Sequence, residues 1–135
     1  YDAGDGTDFS GTRMVRAPDL TTNLAIDYDP LIGRDIRLIA HADWFHTSSF
    51  YFEPGEARIL SSNRQGAYDL LNVRLGLDVG RWSMTGFVTN LLDRRYRAAN
   101  DIRPGVVTPF GAIGPQSAGY YAAPRMTGIR VAWRY

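Results

Sequence analysis

The fold is decided by one segment, Leu71-Asn72-Val73-Arg74-Leu75-Gly76-Leu77-Asp78-Val79, in which apolar and polar side chains alternate without interruption. A period of two places successive side chains on opposite faces of a β-strand, so the segment predicts a strand with one apolar and one polar face. After only Gly80-Arg81, the alternation resumes at Trp82 in a segment that extends to about Tyr96, where Phe87 and Leu91 break the pattern and leave the facing of the far end open. Such a short connection between two alternating segments is typical of an antiparallel hairpin.

The same pattern predicts three further strands, at 20–28, about 35–50 and 127–135. The connections are short at 29–33 and 80–81, and long at 51–66 and 97–124, where Gly, Pro and polar residues are frequent. In an antiparallel meander every second connection lies at the same end, so the short turns share one end of the sheet and the long loops share the other. Outer-membrane β-barrels show this asymmetry.

Composition excludes several classes of protein. The 135 residues contain no cysteine, which removes disulfide frameworks and thiolate metal sites. All 15 basic residues are arginines scattered along the chain, and the net charge is +1, so a nucleic-acid-binding surface is not predicted. No apolar run approaches the roughly 18 residues of a transmembrane helix, whereas a barrel strand crosses the bilayer with about 9 to 11 residues of mixed polarity.

Seven charged or titratable residues of the predicted strands lie on the polar face. They are Arg37, His41, Asp43, Arg74, Asp78, Arg130 and Arg134. On a lipid-facing surface, each arginine near the bilayer midplane costs about 2 to 4 kcal/mol, so the polar face is predicted to line a lumen. The predicted fold is therefore all-β, an antiparallel transmembrane β-barrel to which this chain contributes about five strands.

Two segments near the end of the chain carry a family resemblance. Residues 88–96, VTNLLDRRY, resemble the NLFD(K/R)xY signature of TonB-dependent receptors, and residues 123–131, APRMTGIRV, resemble the entry of that family into its last strand. A weaker likeness is found at 16–19, RAPD, before the first predicted strand. Leu92 replaces the commoner Phe, and the last residue is Tyr135 rather than Phe. The resemblance spans nearly the whole chain.

The resemblance implies a receptor in the outer membrane of a Gram-negative bacterium that imports a scarce nutrient. It implies a barrel of 22 strands with a plugged lumen, so residues 1–135 are expected to be the C-terminal part of the barrel domain, without the plug. Ferric siderophores or other iron complexes are the first expected cargo, ahead of cobalamin, other metal chelates and glycans. The implied partners are the plug, the TonB protein, membrane lipid and lipopolysaccharide, and the barrel-assembly machinery. No enzymatic activity, cofactor or nucleic-acid partner is expected.

Two other classes stay open on the sequence alone. The first is a passive porin or a barrel enzyme that shares only the pattern of the C-terminal strands. The second is a soluble β-sandwich binding module, which buries its apolar face against a second sheet. A barrel fragment with an exposed lipid face and open strand edges is expected to aggregate without detergent, whereas a sandwich module is not.

The candidate functional residues fall into three groups. Aromatic rings in the long loops can stack on a planar chelate or a sugar, and these are Tyr51, Phe52, Phe110, Tyr120 and Tyr121. The residues of the family motifs are interpreted as structural, with Asp93 expected to pair with Arg94 or Arg95, and they are Asn90, Leu91, Leu92, Asp93, Tyr96, Pro124 and Arg125. An amphipathic last strand that ends on an aromatic resembles the signal read by the assembly machinery, here Ile129, Val131, Trp133 and Tyr135.

Two polar clusters are interpreted as structural rather than metal-binding. His41 and Asp43 share a strand face, but His46 has the opposite parity on a regular strand, so a polar lumen wall is predicted instead of an iron site. The N-terminal aspartates lack the alternate-residue spacing of a calcium loop and are predicted to be solvated; they are Asp2, Asp5 and Asp8.

Overall fold

The computed structural model describes residues 10–11, 13–54, 61–103, 105–114 and 116–135, so the N-terminal aspartates lie outside the described residues. Its strands, numbered along the chain, are β1 Thr21–Tyr28, β2 Ile36–Thr47, β3 Phe50–Tyr51, β4 Arg64–Gln65, β5 Tyr68–Val79, β6 Trp82–Thr89, β7 Arg97–Arg103, β8 Val106–Thr108, β9 Gly111–Ile113, β10 Gln116–Tyr121 and β11 Met126–Trp133. Within these ranges no helix is long and apolar enough to cross a membrane. The predicted all-β, antiparallel class is confirmed.

The chain forms two compact units. The strand unit comprises Thr21–Thr47, Tyr68–Arg95 and Ala123–Tyr135, and the loop unit comprises Tyr1–Leu20, Ser48–Ala67 and Tyr96–Ala122. In the strand unit, five strands form one antiparallel sheet in the order β1-β2-β5-β6-β11. The sheet is open, with β1 and β11 at its edges. Because neighbours are antiparallel, the start of β1, the end of β2, the start of β5, the end of β6 and the start of β11 lie at one end, as the loop lengths predict.

The register of the sheet confirms the predicted facing of the side chains. Leu75 pairs with Ala40 and Gly86, and Gly86 pairs with Ile129, so one apolar row crosses four strands. The side chains of this apolar face are exposed, with Ile26 at 71% and Ile129 at 77%. A sandwich would bury them against a second sheet, whereas a barrel turns such a face to lipid. The alternative of a soluble sandwich is therefore not supported.

Two strands end earlier than the alternation predicts. β2 ends at Thr47 rather than near Phe50, and β6 ends at Thr89 rather than near Tyr96. β6 stops because Asn90 has a φ of 51°, a left-handed conformation that turns the backbone out of the sheet. The far end of the predicted fourth strand is therefore a turn, which removes the question of its facing.

The long connection at 97–124 contains strands that the sequence pattern did not predict. β7 pairs with β10 in an antiparallel ribbon, and the short strands β8 and β9 pair with each other between them. The register shifts between Tyr120 and Tyr121, which marks a β-bulge. The sequence of β7, RAANDIR, has no regular alternation of apolar and polar residues, so the pattern that finds the membrane strands does not find this one.

Candidate functional site

The polar face of the sheet carries a connected chain of hydrogen-bonding side chains. His41 Nδ1 lies 2.6 Å from Asp27 Oδ1, and His41 Nε2 lies 3.3 Å from Asp43 Oδ1. Asn72 Nδ2 donates to Asp43 Oδ2 at 2.7 Å, and Asn72 Oδ1 accepts the backbone N–H of Asn90 at 2.9 Å. The chain thus connects β1, β2 and β5 to the turn that follows β6.

The side chains of this network bond to one another, as expected of a structural lumen wall. The imidazole of His41 lies between two carboxylates, with one ring nitrogen directed to each. His46 projects from the apolar face, where its Nδ1 lies 2.9 Å from Asp69 Oδ1 and its ring stacks on that of Trp44 with centroids 5.9 Å apart. The two histidines therefore face opposite sides, as their parity predicts. In the part of the chain that the structure describes, no group of three or more His, Asp or Glu residues is arranged to hold a metal ion.

The first family motif forms a tight turn at the end of β6. Asn90 is buried, and its side chain accepts the backbone N–H of Arg94 at 2.8 Å and donates to the carbonyl of the same residue at 3.0 Å. Its Nδ2 also lies 3.3 Å from the carbonyl oxygen of Ala123, close to the start of β11. The backbone N–H of the next residue, Leu91, donates to the carbonyl of Leu71 on β5 at 2.7 Å. Asn90 is therefore a structural residue that joins β6, its turn and the approach to β11.

The second motif is tied to the first. Asp93 also has a positive φ, 49°, and its Oδ1 accepts the backbone N–H of Arg125 at 3.1 Å. The sequence predicts a pairing of this carboxylate with the side chain of Arg94 or Arg95, and the bond to the Arg125 backbone was not predicted. Two other motif residues, Leu92 and Pro124, are exposed. The backbone carbonyl of Tyr96, which belongs to the loop unit, accepts the N–H of Ala122 at 2.9 Å.

The loop unit is held together largely by polar side chains that bond to the backbone. Asn63 is buried, and its amide accepts the N–H of Glu53 at 2.8 Å and donates to the Glu53 carbonyl at 2.9 Å. Arg97 Nη1 and Asn100 Nδ2 both donate to the carbonyl of Ser62, at 2.6 and 3.1 Å. Sequence reasoning missed these residues, because single amides in polar stretches carry no recognisable signal.

The aromatic residues predicted to contact substrate are not equivalent. Phe52 is only 2% exposed and packs edge to face on Phe50, so its ring supports the loop from inside. Tyr51 is half-buried in β3, and its carbonyl accepts the N–H of Arg16 at 2.7 Å. The other three rings are available for contact: Phe110 is 100% exposed, Tyr120 75% and Tyr121 64%.

Comparison with known families identifies the sheet. Residues 1–91 match the family model described as TonB dependent receptor-like, beta-barrel. The chain belongs to this family. The two motifs lie mostly beyond residue 91, so they support the same assignment independently. No solved structure matches the chain.

Membership of this family indicates which face of the sheet meets lipid and which end is extracellular. TonB-dependent receptors are transporters rather than enzymes, and their barrels lie in the outer membrane of Gram-negative bacteria. The apolar face of the sheet is therefore the lipid face, and the polar face lines the lumen. The end of the sheet with the tight turns is periplasmic, and the end with the long connections is extracellular. The family also implies a plug and the TonB protein as partners.

The last strand of this TonB-dependent barrel presents its predicted assembly residues to the lipid side. Trp133 pairs with Trp82 across the strands, and its ring packs edge to face on Tyr135 with centroids 4.6 Å apart. Ile129 and Val131 alternate with them on the same face and are exposed. These positions fit an interfacial aromatic girdle at the periplasmic end.

The lumen side of the barrel wall contains a concave pocket of about 410 Å³. Its polar and charged lining consists of His41, Asp43, Asn72, Arg74, Ser83, Thr85, Thr89 and Arg130. The ring of Phe87 also lines the pocket and covers Gly128, where an added Cβ would lie 2.5 Å from Phe87 Cζ. Glycine is therefore required opposite this ring, and Phe87 is a lumen residue rather than a lipid-facing one.

Proposed function

We propose that this chain contributes the C-terminal wall and loops of a receptor that imports an iron complex, most simply a ferric siderophore, with energy from TonB. The proposal takes residues 1–135 as the last part of the barrel domain and the plug as a separate part of the receptor. Cobalamin, other metal chelates and glycans are the competing cargoes. The observation that carries the proposal is the presentation of exposed aromatic rings by a hydrogen-bonded loop unit.

The aromatic rings are held on an ordered ribbon rather than on a bare loop. Tyr120 and Tyr121 close β10, which pairs along its length with β7. Ser117 donates to Asn100 Oδ1 at 2.9 Å, and Asn100 in turn bonds to the Ser62 carbonyl, so the ribbon is fixed to the segment at 61–67. A fixed position lowers the conformational entropy lost when a ligand binds, so preorganised rings bind more tightly than mobile ones.

The test is substrate binding and uptake by the full-length receptor, with Tyr120→Ala and Tyr121→Ala compared with Gln116→Ala on the same strand. Ferric siderophores of several chemical classes, cobalamin and oligosaccharides are offered in turn, and uptake is measured with and without a functional TonB system. We expect TonB-dependent uptake of a ferric chelate, and about a fivefold loss of affinity for each tyrosine variant, since a stacking contact contributes about 1 kcal/mol. Uptake of cobalamin or a glycan alone contradicts the iron proposal, and TonB-independent uptake contradicts energised import.

The assembly role of the last strand belongs to the same proposal. We propose that Ile129, Val131, Trp133 and Tyr135 are recognised by the barrel-assembly machinery, because they form an exposed amphipathic strand with a terminal aromatic. Lipopolysaccharide and outer-membrane lipid are the proposed contacts of the apolar face.

A further inference from the structure

Two long connections of the loop unit share one backbone carbonyl. These connections are the 48–67 loop and the 96–122 loop. The carbonyl of Ser62, in the 48–67 loop, accepts one hydrogen bond from Arg97 Nη1 at 2.6 Å and another from Asn100 Nδ2 at 3.1 Å. Both donors belong to the 96–122 loop, so this carbonyl joins the two loops.

Two side-chain amides at this junction are buried, those of Gln65 and Asn100. Gln65 Oε1 accepts the backbone N–H of Arg97 at 2.9 Å, which is a further bond between the loops. Asn100 Oδ1 accepts the hydroxyl of Ser117 on β10 at 2.9 Å. A buried polar group that loses its partner costs more free energy than the bond itself contributes, so separation of the loops is penalised at both amides.

Neither loop has an apolar core of its own among its described residues. Only one of the four buried residues there is apolar; the four are Phe52, Asn63, Gln65 and Asn100. In the 48–67 loop, β3 and β4 pair over two residues each, and the 96–122 loop is built from two-stranded ladders. Two-stranded elements are marginally stable in water at best. Each loop therefore depends on its bonds to the other.

We propose that the 48–67 and 96–122 loops open as one cooperative unit, separately from the strands of the barrel. The bonds at Ser62 and Gln65 break together, because the opening of either loop leaves buried groups on the other without partners. Proteins open locally in contiguous units of this kind. One consequence rests on the proposed function: a ligand held by the rings at the end of β10 stabilises the 48–67 loop without contacting it.

The sheet of the strand unit should resist opening much more strongly than the loops. Strands β2 and β5 pair over all 12 residues of each strand, whereas β3 and β4 pair over two. Exchange of a backbone amide reports the opening of its own hydrogen bond, so one hydrogen-exchange measurement distinguishes the loops from the sheet.

The variant Asn100→Ala tests the coupling in one direction. Hydrogen exchange of the full-length receptor is measured in detergent, without ligand, by mass spectrometry of short fragments. The reporters are the backbone N–H groups of Phe52 and Glu53, which bond to Asn63 and not to the altered residue. We expect both to exchange roughly tenfold faster, because the junction loses a bond between buried groups.

The variant Asn63→Ala tests the reverse direction. It removes two bonds to Glu53 within the 48–67 loop and leaves the side chains of Arg97 and Asn100 unaltered. The reporters are the N–H groups of the β7–β10 ladder in the other loop. Since coupling between two sites is reciprocal, their exchange should also be roughly tenfold faster.

The matched control is Thr108→Ala, which removes two bonds at the tip of the 96–122 loop. The Thr108 hydroxyl donates to the carbonyl of Gly111 at 2.8 Å and accepts the N–H of Phe110 at 3.2 Å, all within the exposed β8–β9 turn. The bonds at the junction are untouched, so exchange in the 48–67 loop should stay as in the unaltered receptor.

Faster exchange confined to the altered loop, in either asparagine variant, overturns the proposal, because the loops then open independently. An equal acceleration in the β2–β5 ladder also overturns it, because the loops then open only with the barrel. If Asn100→Ala yields no folded receptor, Arg97→Met provides the same test by removing only the Nη1 bond to Ser62. Failure of the proposed function is separable, since it appears as absent TonB-dependent uptake and leaves the exchange of the unliganded receptor unchanged.

Discussion

Replacing Asn90 by alanine removes three hydrogen bonds from the turn that follows β6. Two of them join the Asn90 side chain to the backbone of Arg94, and the third reaches the carbonyl of Ala123. Each such bond contributes about 0.5 to 1.5 kcal/mol. Alanine must also adopt the left-handed conformation, with φ of 51°, which costs it about 1 to 2 kcal/mol. The expected loss in the free energy of unfolding is about 2.5 to 6.5 kcal/mol.

Glycine at position 90 separates the contribution of the hydrogen bonds from that of the left-handed backbone conformation. Asn90→Gly removes the same three bonds but adopts a positive φ without strain, so its loss should be smaller by about 1 kcal/mol or more. Asn23→Ala is the control, because Asn23 is an exposed amide on the polar face of β1. Its effect should stay within about 0.5 kcal/mol.

The measurement is a denaturant titration of the full-length receptor in detergent, followed by tryptophan fluorescence. Equal stability of Asn90→Ala and Asn90→Gly would refute the strain contribution. An Asn90→Ala variant no less stable than Asn23→Ala would refute the structural role of the turn, and would reopen a direct role for the motif in substrate binding.

Two further predictions concern the sheet itself. Gly128→Ala places a methyl group 2.5 Å from the ring of Phe87 and should destabilise the barrel by about 1 to 3 kcal/mol in the same titration, whereas Gly86→Ala, whose added Cβ meets nothing nearer than 3.9 Å, should be almost neutral. If the ring is the cause, a second substitution Phe87→Ala should recover much of the loss; no recovery would mean that the backbone sets the cost. Ile26→Arg on the lipid face should cost about 2 to 4 kcal/mol near the midplane, while Ala25→Arg on the lumen face should cost much less, and equal costs would contradict the assignment of the faces.

The membrane strands could be predicted from the sequence because lipid and lumen impose opposite demands on alternate residues. Leu71 to Val79 satisfies both demands without exception, and β5 extends over that segment. The ends of the strands were harder to place, because they depend on local backbone conformation. Asn90 stops β6 through a positive φ that no hydrophobic pattern records.

The candidate sites were less predictable, since they depend on pairing between distant residues. Parity placed His41 and Asp43 on one face, but Asp27 reaches the same imidazole only through the register of β1 with β2. The β7–β10 ribbon and its hydrogen bonds to Ser62 were not predicted. A bond between a side-chain amide and a backbone carbonyl requires no apolar residue nearby, so it leaves no hydrophobic pattern in the sequence. The exposure of Phe110 and the burial of Phe52 likewise follow from tertiary packing, since both are phenylalanines in long connections and the local sequence does not distinguish them.

The hydrogen bonds that hold the loop unit together tolerate many substitutions during evolution. Among the described residues, several of its bonds involve four side chains, Asn63, Gln65, Arg97 and Asn100, and most of these bonds end on backbone groups. Every residue type has a carbonyl, so Ser62 can be replaced without loss of the acceptor that Arg97 and Asn100 share. Mutations can therefore accumulate around the four fixed residues while the shape of the ribbon persists. In the proposed receptor, in which exposed rings such as Tyr120 contact the cargo, substitution of a ring would change the cargo while the scaffold is inherited intact.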